Sequence, residues 1–337
     1  MNKKGIIIGL GGMGLRHIKA LSSLKIKIIG VCDKNPKKIK KINLPGAIKT
    51  TNFRKLLNLK ADIVCIASNT QSRESILKNF LLFSKIDKIL IEKPLAISFG
   101  KCLNLNNLIN KEKNKKKVIV NTFRTLSPNF RKIKKIFTTQ DEKISHISIN
   151  SPSAGLGNMG SIFFDLSNYF INSEPIFVNC FIDKKGTINP RGKHFKDPGG
   201  YGVVRYKNDA KIFFDLSENT SIPYKIILRS KNIEFTIDEI NKKYKLEERP
   251  KIIRSKPEYF YLYKPDYKII KSMDKYNVVE MTKYSIRNLF KNKFISNIDE
   301  TINAMQIVFG CHASQSFNKT IKIPLLKKYH NVEIKFP

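Results

Sequence analysis

Lys3-Lys4-Gly5-Ile6-Ile7-Ile8-Gly9-Leu10-Gly11-Gly12-Met13-Gly14-Leu15-Arg16-His17-Ile18-Lys19-Ala20-Leu21 decides how the chain is read. Ile6 to Ile8 form a short β-branched apolar run, Gly9, Gly11 and Gly14 fit G-x-G-x-x-G, and Leu15, Ile18 and Leu21 recur at helical spacing. The stretch reads as strand, tight turn and helix. Gly9 permits the turn out of the strand, Gly11 lets backbone N–H groups approach a pyrophosphate, and Gly14 lets the helix pack closely on the sheet. The helix N-terminus, entered through Gly12 and Met13, adds partial positive charge for an anion.

A glycine-rich turn gains meaning from the residues downstream of it. Ile26 to Cys32 read as a second strand ending at Asp33, a carboxylate about twenty residues past the glycines, where it can accept from a ribose diol. Its other reading is a turn residue ahead of Asn35-Pro36. As a diol acceptor Asp33 favours NAD over NADP, because it repels a 2′-phosphate, and the neighbouring Lys34 softens that repulsion.

The alternation continues through a lysine-rich segment around Pro36 to Lys41, a short strand at Ala47-Ile48 and a short helix at Phe53 to Leu57. Asp62 to Ser68 read as a buried parallel strand, and Ser68-Asn69-Thr70 open the next helix. That loop lies at a strand's carboxyl end, so Ser68, Asn69 and Thr70 are candidates for ribose or nicotinamide contacts, with helix capping as the competing role. Lys88 to Ile91 end in Glu92-Lys93-Pro94, a charged pair at the end of a buried strand, which calls for pairing or function. A helix over Phe99 to Lys113 and a strand over Val118 to Phe123 complete the pattern. Residues 1–121 thus read as a dinucleotide-binding domain on a doubly wound parallel sheet, and residues 122–337 as a second domain.

Composition bounds the partners. The formal net charge of +36 would attract polyanions, but lysine far outnumbers arginine and is spread along the chain, so a specific nucleic-acid role is not indicated. The charge reads first as a solvated lysine surface, with attraction of an anionic small substrate such as a nucleotide sugar as the other reading. No apolar run approaches a transmembrane length and the glycine turn interrupts any signal-peptide core, which predicts a cytoplasmic protein with no membrane partner. Cys32, Cys65, Cys102, Cys180 and Cys311 have no C-x-x-C pairing, and His17, His146, His194, His312 and His330 are equally dispersed, so neither a metal site nor a disulfide framework is expected.

The order of Gly9-x-Gly11-x-x-Gly14-x-x-His17, Asp33, Ser68-Asn69-Thr70, Glu92-Lys93-Pro94 and Phe123-Arg124-Thr125-Leu126-Ser127-Pro128 resembles the glucose-fructose oxidoreductase and inositol dehydrogenase family (Gfo/Idh/MocA). Gly160-Ser161-Ile162-Phe163-Phe164-Asp165-Leu166-Ser167-Asn168-Tyr169 is similar to that family's second catalytic block, and the likeness runs over nearly the whole chain. It implies a C-terminal α+β domain on an open, mainly antiparallel sheet. Strand candidates are Ile144 to Asn150, Ile176 to Ile182, Gly202 to Tyr206, Ala210 to Leu216, Tyr224 to Ser230 and Ile233 to Ile237. Glu248 to Asp274 read as a long irregular excursion, Val278 to Phe290 and Asp299 to Phe317 as helices, and the residues from Lys322 onward as a basic tail.

The resemblance also implies an NAD-dependent oxidoreductase that passes hydride between nicotinamide and a hydroxyl or keto carbon of a sugar, nucleotide sugar or cyclitol, with surface-polysaccharide sugar metabolism as one setting. Lys93 would bind the reacting oxygen and touch the cofactor beside Glu92, Tyr169 would act as acid/base with its pKa lowered by Lys93, and Asp165 would orient them or relay a proton. Arg124 and Asn168 would meet the substrate, and the open sheet face would support a homodimer or tetramer. Many relatives have His where Tyr169 stands, or Asn168 in a shortened form of the motif; Arg73 replaces a common His, and Thr125 an Arg that often follows Arg124. A rival reading is therefore a member that keeps the fold and pocket without turnover, as a ligand-binding or complex-forming protein.

Overall fold

A computed structural model describes residues 3–112, 116–122, 124–125, 127–152, 154–183, 192, 195–218, 220–221, 224–241, 243–254, 266–271, 277–291 and 298–336. The N-terminal half builds a six-stranded parallel sheet from β1 (Lys4–Ile8), β2 (Lys27–Cys32), β3 (Ile48–Thr50), β4 (Ile63–Ile66), β5 (Lys88–Ile91) and β6 (Lys117–Val120), in the order β3-β2-β1-β4-β5-β6. The intervening helices are α1 (Gly12–Ser23), α2 (Pro36–Lys41), α3 (Thr70–Phe83) and α4 (Phe99–Glu112). Ile6, Ile7, Val31, Ile63, Val64, Ile89 and Leu90 have no exposed surface, as a sheet covered on both faces requires. The lysine-rich segment is α2: Asn35 caps it by accepting from the Lys37 N–H, and Pro36 stands in its first turn. Ile8 lies opposite both Cys32 and Ile66, so β1, β2 and β4 end together. The strand order reverses between β1 and β4, which puts a crevice beyond their carboxyl ends.

The second half contains α5 (Pro128–Thr139), β7 (His146–Asn150), a π-helical turn (Gly155–Gly160) running straight into α6 (Ser161–Ile171), and β8 (Pro175–Ile182). It continues with β9 (Gly200–Tyr206), β10 (Lys211–Asp215), β11 (Lys225–Arg229), β12 (Ile233–Asp238), β13 (Lys243–Glu248), β14 (Asp266–Lys271), α7 (Val278–Phe290), α8 (Ile298–Phe317) and β15 (Ile321–Lys322). The strands form a nine-stranded sheet, β14-β13-β12-β11-β7-β10-β9-β8-β15, in which β7 and β10 pair in parallel and the other neighbours antiparallel. α8 packs on α6 and β8 and reaches α4 and β6. The opposite sheet face carries Phe177, Phe181, Tyr201 and Phe213, each more than a third exposed. The fold is α/β, a Rossmann sheet joined to a mainly antiparallel one.

Three expectations are corrected. The stretch read as irregular from Glu248 holds β14, which pairs with β13 from Lys243↔Lys271 to Glu248↔Asp266; residues 255–265 and 272–274 of it lie outside the described residues. α7 does not stay with the second half: Ile286 and Leu289 join Ile7, Leu21 and Leu90 in one apolar cluster, and the helix packs on α1, β5 and β6. The basic tail returns to the core. Gly100 N–H donates to His330 O and Ile334 N–H to Ile97 O, and the ring of Phe336 is wholly buried 5.9 Å from Phe309. Its lysines face water while Tyr329, Ile334 and Phe336 face in, so charge in the sequence hides an apolar face. Phe336→Ala should lower stability by about 3–5 kcal/mol in urea unfolding, as removal of a buried aromatic does, whereas Lys328→Ala should change little. Equal, small effects of both would contradict this packing.

Candidate active site

The glycine turn does what its spacing predicts. Gly9 adopts φ +95°, and a Cβ there would stand 2.5 Å from Ala67 O; one at Gly14 would stand 1.8 Å from Gly9 O. Neither position tolerates a side chain. Gly11 and Gly12 are the reverse case, since a Cβ at either would meet nothing within 4 Å. Gly11 precedes α1 without a side-chain cap, so the first N–H groups of the helix, at Gly12, Met13 and Gly14, are left to the opening beyond the sheet. Asp33 borders the same opening: its Oδ2 accepts from the Leu10 N–H at 2.6 Å, its Oδ1 from the Asn35 N–H at 2.9 Å, and Lys38 Nζ lies 3.7 Å away. The cation beside it is thus Lys38, one α2 turn beyond the anticipated Lys34. An open turn, unused N–H groups and a carboxylate together match the donors and acceptors of a dinucleotide.

The loop after β4 is tied inward. Asn69 caps α3, its Oδ1 accepting from the Ser72 N–H at 3.2 Å, and Thr70 is buried with its Oγ1 accepting from Arg73 at 3.3 Å. Arg73, itself buried, also donates to Ser68 O and Pro94 O, so it straps this loop to the Lys93-Pro94 segment, whose peptide bond is cis.

Glu92 points into the interior. Its Oε1 accepts from His17 Nε2 at 2.9 Å and from Asn121 Nδ2 at 2.7 Å, while Asn121 Oδ1 accepts from Ser285 Oγ of α7 at 3.2 Å. Burial alone would push His17 down, but the Cys65 thiol and the Glu92 carboxylate beside its ring outweigh that and hold it up at about 10. Burial alone would raise Glu92; the bond from His17, the charge of the imidazolium and the bond from Asn121 hold it below the usual carboxylate value. The next side chain, Lys93, reaches across to the second half, where Asn158 in the π-helical turn accepts from its Nζ through both the backbone O and Oδ1, the latter at 2.9 Å.

Asp165 is buried one helical stretch further along α6. Burial pushes its carboxyl up to about 8, the charge of Glu300 adds to the rise, and the Thr122 hydroxyl opposes it. Tyr169 is half-buried, and burial raises its phenol as well, with Arg131 pulling down and Glu300 pushing up. Lys134 Nζ sits 4.0 Å from the centre of the Tyr169 ring. The expected lowering of Tyr169 by Lys93 is therefore corrected: its cations are those of α5, and the phenol stays protonated. Asn168 and Arg124, anticipated at the substrate, also have partners within the fold. Asn168 Oδ1 accepts from the buried Tyr206 hydroxyl at 2.6 Å, and Arg124 donates to Glu239 at 2.9 Å and Tyr224 at 3.3 Å, joining the start of α5 to the sheet. Among the described residues no group of His, Cys, Asp and Glu is placed to hold a metal ion, and no helix is long and apolar enough to cross a membrane.

Residues 3–122 match the model of the oxidoreductase family with an NAD-binding Rossmann fold, GFO_IDH_MocA. This domain belongs to the Gfo/Idh/MocA family. No curated protein sequence matches the chain. Solved structures share the whole fold, second half included. Levoglucosan dehydrogenase in complex with NADH and levoglucosan superposes with a TM-score of 0.78 at 12% identity over 96% of this chain and 100% of that one. Myo-inositol 2-dehydrogenase from Lactobacillus plantarum does so at 0.73 and 16% identity over 96% and 100%. The super-repressor mutant of Gal80p from Saccharomyces cerevisiae superposes at 0.74 and 12% identity over 99% and 100%.

Within the Gfo/Idh/MocA domain, His17 and Arg73 carry more of the geometry than their isolated positions in the sequence suggest, and Asn158 is a site residue that sequence reasoning missed. The glycines around Asn158 marked a turn, but its partner Lys93 stands 65 positions earlier. The His17–Glu92 pair has a pH signature. Glu92 contributes stability above about pH 4.5 and loses it as pH falls through its lowered value; His17 contributes fully below about 6.5 and loses that as pH rises towards 10. Glu92→Gln should cost about 3 kcal/mol in urea unfolding near pH 5.5, shrinking towards pH 9. A difference that stays flat between those pH values would show that the pair is not ionised.

Proposed function

We propose that this protein is an NAD-dependent oxidoreductase that moves hydride between the nicotinamide and a hydroxyl-bearing or keto carbon of a sugar, nucleotide sugar or cyclitol. The observation that carries this reading is Lys93, held at the carboxyl end of β5 in the Gfo/Idh/MocA domain and turned to Asn158 of the other half. The N–H groups from Gly12 to Gly14 bind the diphosphate, Asp33 takes the ribose hydroxyls, and the Ser68–Thr70 loop with Glu92 and Lys93 frames the nicotinamide end. NAD supplies a hydride acceptor and donor at its nicotinamide ring. The Lys93 ammonium binds the reacting oxygen and stabilises the negative charge that develops there. Tyr169 and Asp165 hold protons at neutral pH, since burial raises both, and so stand ready to protonate that oxygen in the reducing direction.

Two observations support a second reading, a ligand-binding or complex-forming protein without turnover: Tyr169 packs against Lys134 of α5, and the fold is shared with Gal80p. The exposed aromatic side chains Phe177, Phe181, Tyr201 and Phe213 on the open sheet face support self-association as a dimer or tetramer.

Lys93→Met discriminates between the two. Turnover on a panel of keto-sugars, nucleotide sugars and cyclitols should fall by about 100-fold or more, with NADH affinity within about threefold of the parent. A protein without turnover would bind its ligand equally well in both forms. NADH should also bind more tightly than NADPH in a fluorescence titration, because Asp33 repels a 2′-phosphate, and the opposite order would overturn the choice of cofactor.

A further inference from the structure

We propose that Asp197 is the positioning residue for Lys93: it holds the π-helical turn whose Asn158 receives the Lys93 ammonium across the cleft. The proposal rests on the reading that Lys93 binds the reacting oxygen, but the geometry it invokes stands apart from any substrate.

Asn158 meets Lys93 through two acceptors of one residue, its backbone O and its Oδ1. Where the ammonium sits is therefore decided by how the turn from Gly155 to Gly160 is held. A flexible four-carbon stem does not fix its own end. The turn is the N-terminal end of a helix that runs on through α6, and such an end leaves N–H groups without partners in the helix. Asp197 meets two of them with one carboxylate: Oδ1 accepts from the Gly157 N–H at 2.6 Å and Oδ2 from the Asn158 N–H at 2.8 Å. A negative charge there also suits the helix dipole. The next residue, Pro198, accepts from the Leu156 N–H at 3.0 Å.

The fit is tight on every side. Gly155 has φ +57°, and a Cβ on it would lie 2.6 Å from Asp197 Oδ2; a Cβ on Gly157 would lie 2.2 Å from the ring of Phe336. The segment carrying Asp197 is anchored in turn, Lys196 N–H donating to Lys335 O at 2.9 Å and Gly199 N–H to Glu218 Oε1 at 3.1 Å. A chain of fixed contacts thus runs from the C-terminal segment through Asp197 and Asn158 to Lys93. Asp197 grips the turn by its backbone N–H groups, so its effect on chemistry passes through the turn.

The test is trace acetylation of the full-length protein with an N-hydroxysuccinimide acetate at pH 7.5, read by mass spectrometry at Lys93 against the exposed Lys328. Asp197→Ala and Asn158→Ala should each speed labelling of Lys93 on the order of tenfold, because the ammonium leaves its acceptors, and Asp197→Asn should fall between them and the parent. Circular dichroism establishes folding, and if Asp197→Ala does not fold, Asp197→Asn decides. Unchanged labelling of Lys93 in a folded Asp197 variant, with Asn158→Ala accelerated, overturns the proposal. Steady-state kinetics separate the two claims. A lowered kcat in Asp197→Asn with an unchanged KM for NADH supports both, whereas faster labelling in a protein whose turnover ignores Lys93→Met leaves Asp197 as the positioning residue and removes the catalytic role of Lys93.

Discussion

The architecture turns on a buried ion pair. His17 stands one turn into the helix that the glycine turn launches, Glu92 stands at the end of β5, and their 2.9 Å contact is completed by Asn121 from the end of β6 and, through Asn121, by Ser285 of α7. Two charges taken out of water are tolerated only when each is paired. That requirement forces α1, β5, β6 and α7 into one arrangement. Two features lie beside it: the α1 N-terminus, one turn before His17, and the Lys93 side chain, which leaves the backbone next to Glu92.

From that fixed point the cleft is assembled from both halves of the chain. Arg73 draws the loop after β4 against Pro94, and Lys93 reaches Asn158 in the turn that leads into α6. The two sides differ in electrostatic character. The Rossmann side presents N–H groups and an ammonium, groups that bind negative charge. The α6 side presents Asp165 and Tyr169, whose protons are retained because burial disfavours their charged forms. α8 packs on both α6 and β6 and so ties the two halves together.

Much of the first half was legible because its signals are local. A β-branched run must be a buried strand in a parallel sheet, and the glycines at 9 and 14 answer to a backbone conformation and a helix–strand approach that neighbouring residues already imply. Legibility failed where identity and environment part company. β14 is interrupted by lysines and comes after a Tyr-rich stretch, so only its pairing with β13 makes it a strand. The C-terminal segment looks like a charged tail, yet its Phe336 ring is buried against Phe309 of α8. The partners that Arg124 and Asn168 find within the fold, Glu239 and Tyr206, are far away in sequence.

Taken alone, the sequence determined the Rossmann sheet, its glycine turn, the acid at the end of the second strand and the placing of Lys93 at the carboxyl end of the fifth, since each rests on spacing within one strand–turn–helix unit. Tertiary structure decided which charges are spent and which are offered. Glu92 is committed to His17, Arg73 to the neighbouring loops and Arg124 to Glu239, while Asn158 holds the Lys93 ammonium in place. The pairing of a charge depends on what the fold brings within about 3 Å of it, and those partners come from sequence distances that no local pattern encodes.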